Sequence, residues 1–113
     1  MKHPELQLQK QCYQWFLLQY PKQYGLLFTN LNNPRSKING AIMKSCGLVA
    51  GVADMTYLKD RKAYFFELKT DKGRQSENQR NWQQLIEAAG FSYQIIRSLD
   101  EFQAAVKKIN NSY

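Results

Sequence analysis

The stretch Tyr64-Phe65-Phe66-Glu67-Leu68-Lys69 decides how the rest of this chain is interpreted. Its alternation of apolar and charged residues is typical of a β-strand whose two faces meet different surroundings. Phe66 and Leu68 then lie on one face, and Glu67 and Lys69 lie together on the other. By itself, this charge pair is also the ordinary pattern of a strand face exposed to solvent. Whether it belongs to a catalytic site therefore depends on which other residues the fold places next to it.

A second carboxylate is expected beside Glu67. The run Val52 to Leu58 also favours a strand, and Lys59-Asp60-Arg61 is typical of a hairpin turn between the two runs. An antiparallel hairpin folded about residues 59–61 brings Asp54 close to Glu67. Two carboxylates at this range repel each other, and a divalent cation such as Mg²⁺ relieves the repulsion by taking oxygen ligands from both.

Such an ion polarises a phosphodiester oxygen and lowers the pKa of a bound water. Lys69 beside the two acids would hold the attacking water and the phosphate. Asp54, Glu67 and Lys69 therefore predict hydrolysis of a nucleic-acid backbone.

Helix and strand signals alternate along the rest of the chain. Helices are predicted from Pro4 to Tyr20, from Asn33-Pro34 to Gly47, and after two capping boxes, Ser76 to Gln79 and Ser98 to Glu101; strands are predicted at 25–30 and 91–97. The element order is thus α-β-α-β-β-α-β-α. This order predicts a single layered α/β or α+β domain.

Composition narrows the classes of function. Sixteen Lys and Arg against nine Asp and Glu leave a net charge of +7, which suits a polyanionic partner, nucleic acid first. The sequence shows no pattern of a membrane span, a signal peptide or a nucleotide-binding glycine loop. Two cysteines, Cys12 and Cys46, are too few for a disulfide framework and are expected to be buried apolar residues of a reduced, cytoplasmic protein.

Three segments in order resemble the motifs of the virus-type replication-repair nuclease (VRR-NUC) domain, a member of the PD-(D/E)xK restriction-endonuclease-like superfamily. They are Gly51-Val52-Ala53-Asp54, Glu67-Leu68-Lys69-Thr70, and Lys72-Gly73-Arg74-Gln75-Ser76-Glu77-Asn78-Gln79. The resemblance runs from about Glu5 to Val106, and the family has proline where this chain has Ala53. It implies a single VRR-NUC-type nuclease domain over 1–113, with an α/β, restriction-endonuclease-like fold in which helices flank a mixed central β-sheet.

The resemblance also implies roles for individual residues. Asp54 and Glu67 would bind the metal with the backbone carbonyl of Leu68, Glu5 would complete the acidic set directly or through water, and Lys69 and Gln79 would assist at the phosphate.

Two of these roles have alternatives in local structure. Glu5 lies on the helical line of Leu8, Cys12 and Phe16, which agrees with a buried role, yet an acid in a first turn also favours the helix dipole. Gln79 is equally the third residue of a capping box, and both roles are compatible.

Basic residues bracket the acids in sequence. Three clustered acids need nearby cations to admit a polyanion, although a solvated surface is the ordinary alternative. The candidate DNA contacts are Arg35, Lys37, Lys44, Lys72, Arg74 and Arg80. No base-reading pattern is found, which favours recognition of shape or of a branch.

The combined prediction is a Mg²⁺- or Mn²⁺-dependent DNA endonuclease. The resemblance suggests structure-selective cutting of flaps or four-way (Holliday) junctions, and the small size favours a homodimer on a symmetric branched substrate. The alternatives are a non-catalytic nucleic-acid-binding module on the same fold and a sequence-specific restriction-type endonuclease.

Overall fold

The structure is a computed structural model, and it describes residues 4–30 and 37–111. The helices are α1 (Pro4–Gln19), α2 (Lys37–Ser45), α3 (Glu77–Ala88) and α4 (Leu99–Asn110), and a short 3₁₀ turn spans Pro21–Gln23. The strands are β1 (Leu27–Thr29), β2 (Met55–Lys59), β3 (Lys62–Leu68) and β4 (Ser92–Ile96). The predicted element order is confirmed, while the helix start expected at Asn33-Pro34 lies outside the described residues.

The four strands form one mixed sheet in the order β1-β2-β3-β4. β1 and β3 each pair antiparallel with β2, and β4 pairs parallel with β3. The hairpin is tighter than predicted, because Lys59 pairs with Lys62 and only Asp60 and Arg61 form the turn. Both turn residues have positive φ, 52° and 68°, as a two-residue hairpin of this twist requires.

Helices cover both faces of the sheet and create two cores. On one face, α1 and α4 pack on the sheet around residues that include Cys12, Phe16, Phe66, Leu68 and Phe102. On the other face, α3 contributes Ile86 and Trp82, which pack with Ala53, Phe65 and Tyr93. Because both faces are covered here, Glu67 and Lys69 are only 2% and 8% exposed, and the solvated-face interpretation of this pair is wrong.

Three local expectations need correction. Cys12 is buried as expected, but Cys46 is exposed just after α2. Ser98 caps α4 by accepting from the Glu101 N–H, yet the Glu101 carboxylate accepts from the Arg97 N–H, so the second capping box is only half formed. Asp54 lies one residue before β2 instead of within the strand.

Among the described helices, none is long and apolar enough to cross a membrane.

Candidate active site

The carboxylates of Asp54 and Glu67 meet at the end of the β2–β3 hairpin. Met55 pairs with Phe66, so the same register carried one residue further places Asp54 opposite Glu67. The Leu68 N–H donates to Asp54 Oδ2 at 2.8 Å, which holds this carboxylate against the end of β3. Burial, reinforced by the charge and hydrogen bond of Asp54, raises the pKa of Glu67 from 4.5 to about 8. The structure therefore contains the predicted pair of acids.

Lys69 completes the charge arrangement on the same face. Its Nζ lies 3.9 Å from Glu67 Oε2, and the side chain is nearly as buried as that of Glu67. The positive charge of Lys69 lowers the pKa of Glu67 and so opposes part of the effect of burial and of Asp54. The buried Glu67 and the partly buried Asp54, with Lys69 as the neighbouring ammonium, have an excess of negative charge when both acids are ionised.

Gln79 forms the capping box and also contacts Glu67, while its assistance at the phosphate stays a prediction. Its Oε1 accepts from the Ser76 N–H at 2.8 Å, and Ser76 Oγ accepts from the Gln79 N–H at 3.2 Å, so the capping box of α3 is complete. Its Nε2 donates to Glu67 Oε2 at 2.9 Å. Because the cap uses the amide oxygen, the amide nitrogen is left facing Glu67.

Tyr93 and Gln75 are site residues that sequence reasoning missed. The Tyr93 hydroxyl donates to Glu67 Oε1 at 3.4 Å and accepts from Gln75 Nε2 at 3.1 Å. Tyr93 pairs with Phe65 across β3 and β4, which puts it on the face of Glu67, two residues away. The period of a strand indicates that Tyr93 shares a face with Ile95, but only the parallel pairing of β4 with β3 reveals which residue Tyr93 approaches.

Glu5 of α1 lies at the edge of the site, against the loop that follows Lys69. A Cβ on Gly73 would lie 3.1 Å from Glu5 Oε2 and 3.4 Å from Lys69 Cδ, so the carboxylate of Glu5 lies against this glycine near Lys69. Arg97, also missed from the sequence, donates from Nη1 to the carbonyls of Thr70 at 2.7 Å and Gly73 at 2.8 Å. α1 thus supplies a third acid at the border of the site, next to a loop that Arg97 holds in place.

The segment before Asp54 is held by two close contacts. Gly51 has a φ of +87°, and a Cβ there would overlap the Asn78 carbonyl and lie 2.8 Å from Gln79 N, so only glycine allows this approach to α3. Asn30 donates from its backbone N–H to the Asp54 carbonyl at 2.8 Å and from Nδ2 to the Ala53 carbonyl at 2.9 Å. Asn30, which sequence reasoning missed, therefore holds Ala53 and Asp54 in place by one hydrogen bond to each backbone carbonyl.

The donor set suits a hard divalent cation. Asp54 and Glu67 offer oxygen ligands from two facing carboxylates, and a cation between them would offset both the burial and the repulsion by Asp54 that raise the pKa of Glu67. In residues 4–30 and 37–111, no group of three or more His, Cys, Asp or Glu side chains is arranged to hold a metal ion. Two carboxylates with several waters are a typical Mg²⁺ environment. Metal ligation by Asp54, Glu67, Glu5 and the Leu68 carbonyl stays a prediction.

The predicted DNA contacts are only partly described. Lys44, Lys72 and Arg74 are exposed, and Arg80 donates to the Gln75 carbonyl at 2.8 Å, which brings its guanidinium to the loop beside the site. Arg35 and the side chain of Lys37 lie outside the described part of the chain. Phosphate contact by these six residues stays a prediction.

Comparison with known proteins identifies the fold. No protein-family model and no curated protein matches this chain. A solved structure named "VRR_NUC domain protein" is similar to it with a TM-score of 0.78, over 93% of this chain and 86% of that one, at 15% sequence identity. The likeness is one of fold. The chain has a VRR-NUC-like, restriction-endonuclease-like fold with a mixed sheet flanked by helices, as the sequence resemblance implies.

Proposed function

We propose that this chain is a single VRR-NUC-type nuclease domain that hydrolyses phosphodiester bonds in DNA with Mg²⁺ or Mn²⁺. The observation that carries the proposal is the meeting of Asp54 with the buried Glu67 and Lys69. Burying a carboxylate beside a second one costs folding free energy, and such costs concentrate at functional sites. A metal-binding role gives this arrangement a physical reason.

Each residue of the site has a distinct role in the proposed reaction. Asp54 and Glu67 would hold the cation, with Glu5 contributing directly or through water. When bound, the cation would polarise the phosphodiester and lower the pKa of a coordinated water. Lys69 would hold that water and a phosphate oxygen, while Gln79 and Tyr93 keep the Glu67 carboxylate in one orientation through their hydrogen bonds.

The finer parts of the proposal concern substrate and assembly. We propose that the substrate is branched DNA, a four-way junction or a flap, and that a homodimer cuts it. The small size of the domain supports this, since one copy offers little surface beyond the site to grip a branched duplex. The basic residues named above would contact phosphates, and the two free cysteines agree with a reducing, cytoplasmic setting.

Cleavage assays test the proposal. Supercoiled plasmid, a flap and a four-way junction are incubated with Mg²⁺, Mn²⁺ or EDTA, and we expect metal-dependent cleavage that falls by about a hundredfold or more in Glu67→Gln and Lys69→Met. The matched controls are Glu77→Gln, an exposed acid, and Lys62→Met, an exposed lysine at the opposite end of β3. Both controls should cleave like the parent.

Other outcomes of these assays point elsewhere. DNA binding without metal-dependent cleavage would favour the non-catalytic binding module. Discrete plasmid fragments, independent of any branch, would favour a sequence-specific endonuclease.

A further inference from the structure

An apolar groove runs between α1 and the sheet edge at β1. Its volume is about 410 Å³, within the range of about 300–1,000 Å³ that is typical of small-ligand sites. Leu6 and Tyr13 line it from α1, and Phe28 and Met55 line it from the sheet. Lys10 adds a positive charge to this otherwise apolar lining.

One end of the groove lies close to the backbone of Asp54. Leu6 directly follows Glu5 in α1, and Met55 directly follows Asp54 at the start of β2. Two further lining residues, Gln9 and Thr29, form a hydrogen-bonded link to the same place. Gln9 Nε2 donates to Thr29 Oγ1 at 3.1 Å, and Thr29 Oγ1 donates to the Asp54 carbonyl at 3.3 Å. A ligand in the groove therefore lies close to the backbone of Asp54.

The chemistry of the lining fits a nucleobase. A base has two flat apolar faces, which stack on aromatic side chains such as Tyr13 and Phe28, and a polar edge, which suits the amide and hydroxyl of Gln9 and Thr29. Lys10 supplies the positive charge that the phosphate attached to such a base requires, in keeping with the net charge of +7. An acidic or purely aliphatic ligand would use only part of this lining.

We infer that the groove binds an unpaired nucleobase next to the phosphate that is cut, so that the substrate carries single-stranded nucleotides beside the cleavage point. A base inside an intact duplex is stacked on both faces and cannot enter the groove without being extruded. The inference rests on the proposed nuclease function and deepens it, because it names the part of a flap or junction that the site engages.

Binding measured in EDTA tests the inference without any cleavage. The full chain is titrated with a fluorescent single-stranded 12-mer and with the duplex of the same sequence, and affinity is followed by anisotropy. We expect Phe28→Ala to weaken single-strand binding about fivefold or more and to leave duplex binding unchanged. Phe91→Ala is the matched control, because Phe91 is exposed to a similar extent, 45% against 39%, but does not line this groove.

Two additions keep the result interpretable. Leu6→Gln changes a residue that is 60% exposed, so it tests the groove with little effect on folding, and it should weaken single-strand binding in the same way. An abasic version of the 12-mer should bind the parent and both groove variants with equal affinity. Without a base there is nothing for the groove to contact, so a substitution in the groove has no further effect on affinity.

The outcomes separate this inference from the nuclease proposal. Unchanged single-strand affinity in both groove variants, or an equal loss for single strand and duplex, overturns the base site while leaving metal-dependent cleavage untouched. Failure of the parent to bind the single strand also overturns the base site, while the nuclease proposal is decided separately by the cleavage assays with Mg²⁺ or Mn²⁺.

Discussion

Glu67 carries a carboxyl group into the interior between the sheet and α3, with Asp54 opposite it and Lys69 on the same strand face. In the absence of a cation, burial and the neighbouring Asp54 favour the protonated acid, and they raise the pKa of Glu67 to about 8. In the unfolded chain the same group ionises near its ordinary value of 4.5. The folded protein therefore retains a proton that the unfolded protein releases between these two pH values.

This difference predicts how stability depends on pH. In EDTA, the free energy of unfolding should fall as the pH rises from about 4.5 to about 8, by on the order of 2–4 kcal/mol from this group, because ionising Glu67 is easier in the unfolded chain. Glu67→Gln should lack this part of the pH dependence. Urea denaturation at pH 5 and pH 8 measures it, with Glu77→Gln as the exposed control; identical pH profiles for parent and Glu67→Gln would contradict the prediction.

At the scale of elements, the site depends on how the segment before β2 packs against the first turn of α3. Gly51 approaches Asn78 and Gln79 so closely that no side chain fits between them. Gln79 then connects the same turn to Glu67 through its amide nitrogen. The approach of one loop to one helix turn thus positions Asp54 and Glu67 together.

Replacing glycines that share a positive φ tests this contact. Gly51→Ala should destabilise the protein by several kcal/mol more than Gly25→Ala, because a Cβ at Gly51 meets α3 backbone, whereas nothing lies within 4 Å of a Cβ at Gly25. Both residues have similar φ values, +87° and +95°, so backbone strain is common to the two variants. Chemical denaturation gives the difference, and equal losses would show that the close approach contributes nothing.

At the scale of the whole molecule, the chain has a net charge of +7, although its candidate site has an excess of acids. Lys72 and Arg74 are exposed on the loop after the site strand, and Gly73 between them lies against Glu5. A polyanion that approaches the acids therefore meets these cations on the way. In the proposed function, this positive charge would attract the phosphate backbone, and the acids would hold the cation that acts on it.

The salt dependence of DNA binding checks this role of the charge. Lys72→Gln and Arg74→Gln should each reduce the steepness of the slope of log K against log salt by about 0.9, because each would remove one of the proposed phosphate contacts. Lys107→Gln is the control, since Lys107 lies over the Trp15 ring in the last turn of α4. Slopes measured in EDTA that do not differ from that of the parent would argue against phosphate contact by this loop.

Much of the fold was predictable because its signals are local. The capping residues of α3, the hairpin between β2 and β3, and the alternation along β3 each depend on residues a few positions apart. The predicted structure was wrong where the same local sequence pattern is compatible with two hydrogen-bonding arrangements. Glu101 has the spacing of a capping box, yet its carboxylate accepts from the Arg97 N–H at 2.7 Å, one residue before the N-cap.

The sequence by itself determined the element order, the positive charge and the position of Glu67 and Lys69 on one face of β3. These features follow from composition, from the periodicity of helices and strands, and from short-range turns. Only the tertiary structure decided that this face is buried under α3, that Tyr93 reaches Glu67, that Arg97 holds the loop after Lys69, and that Glu5 comes to Gly73. These contacts join residues 24 to 68 positions apart in the chain or depend on the parallel pairing of β4 with β3. No local periodicity encodes which distant surfaces pack together, because packing is selected by the fit of whole elements around a shared core.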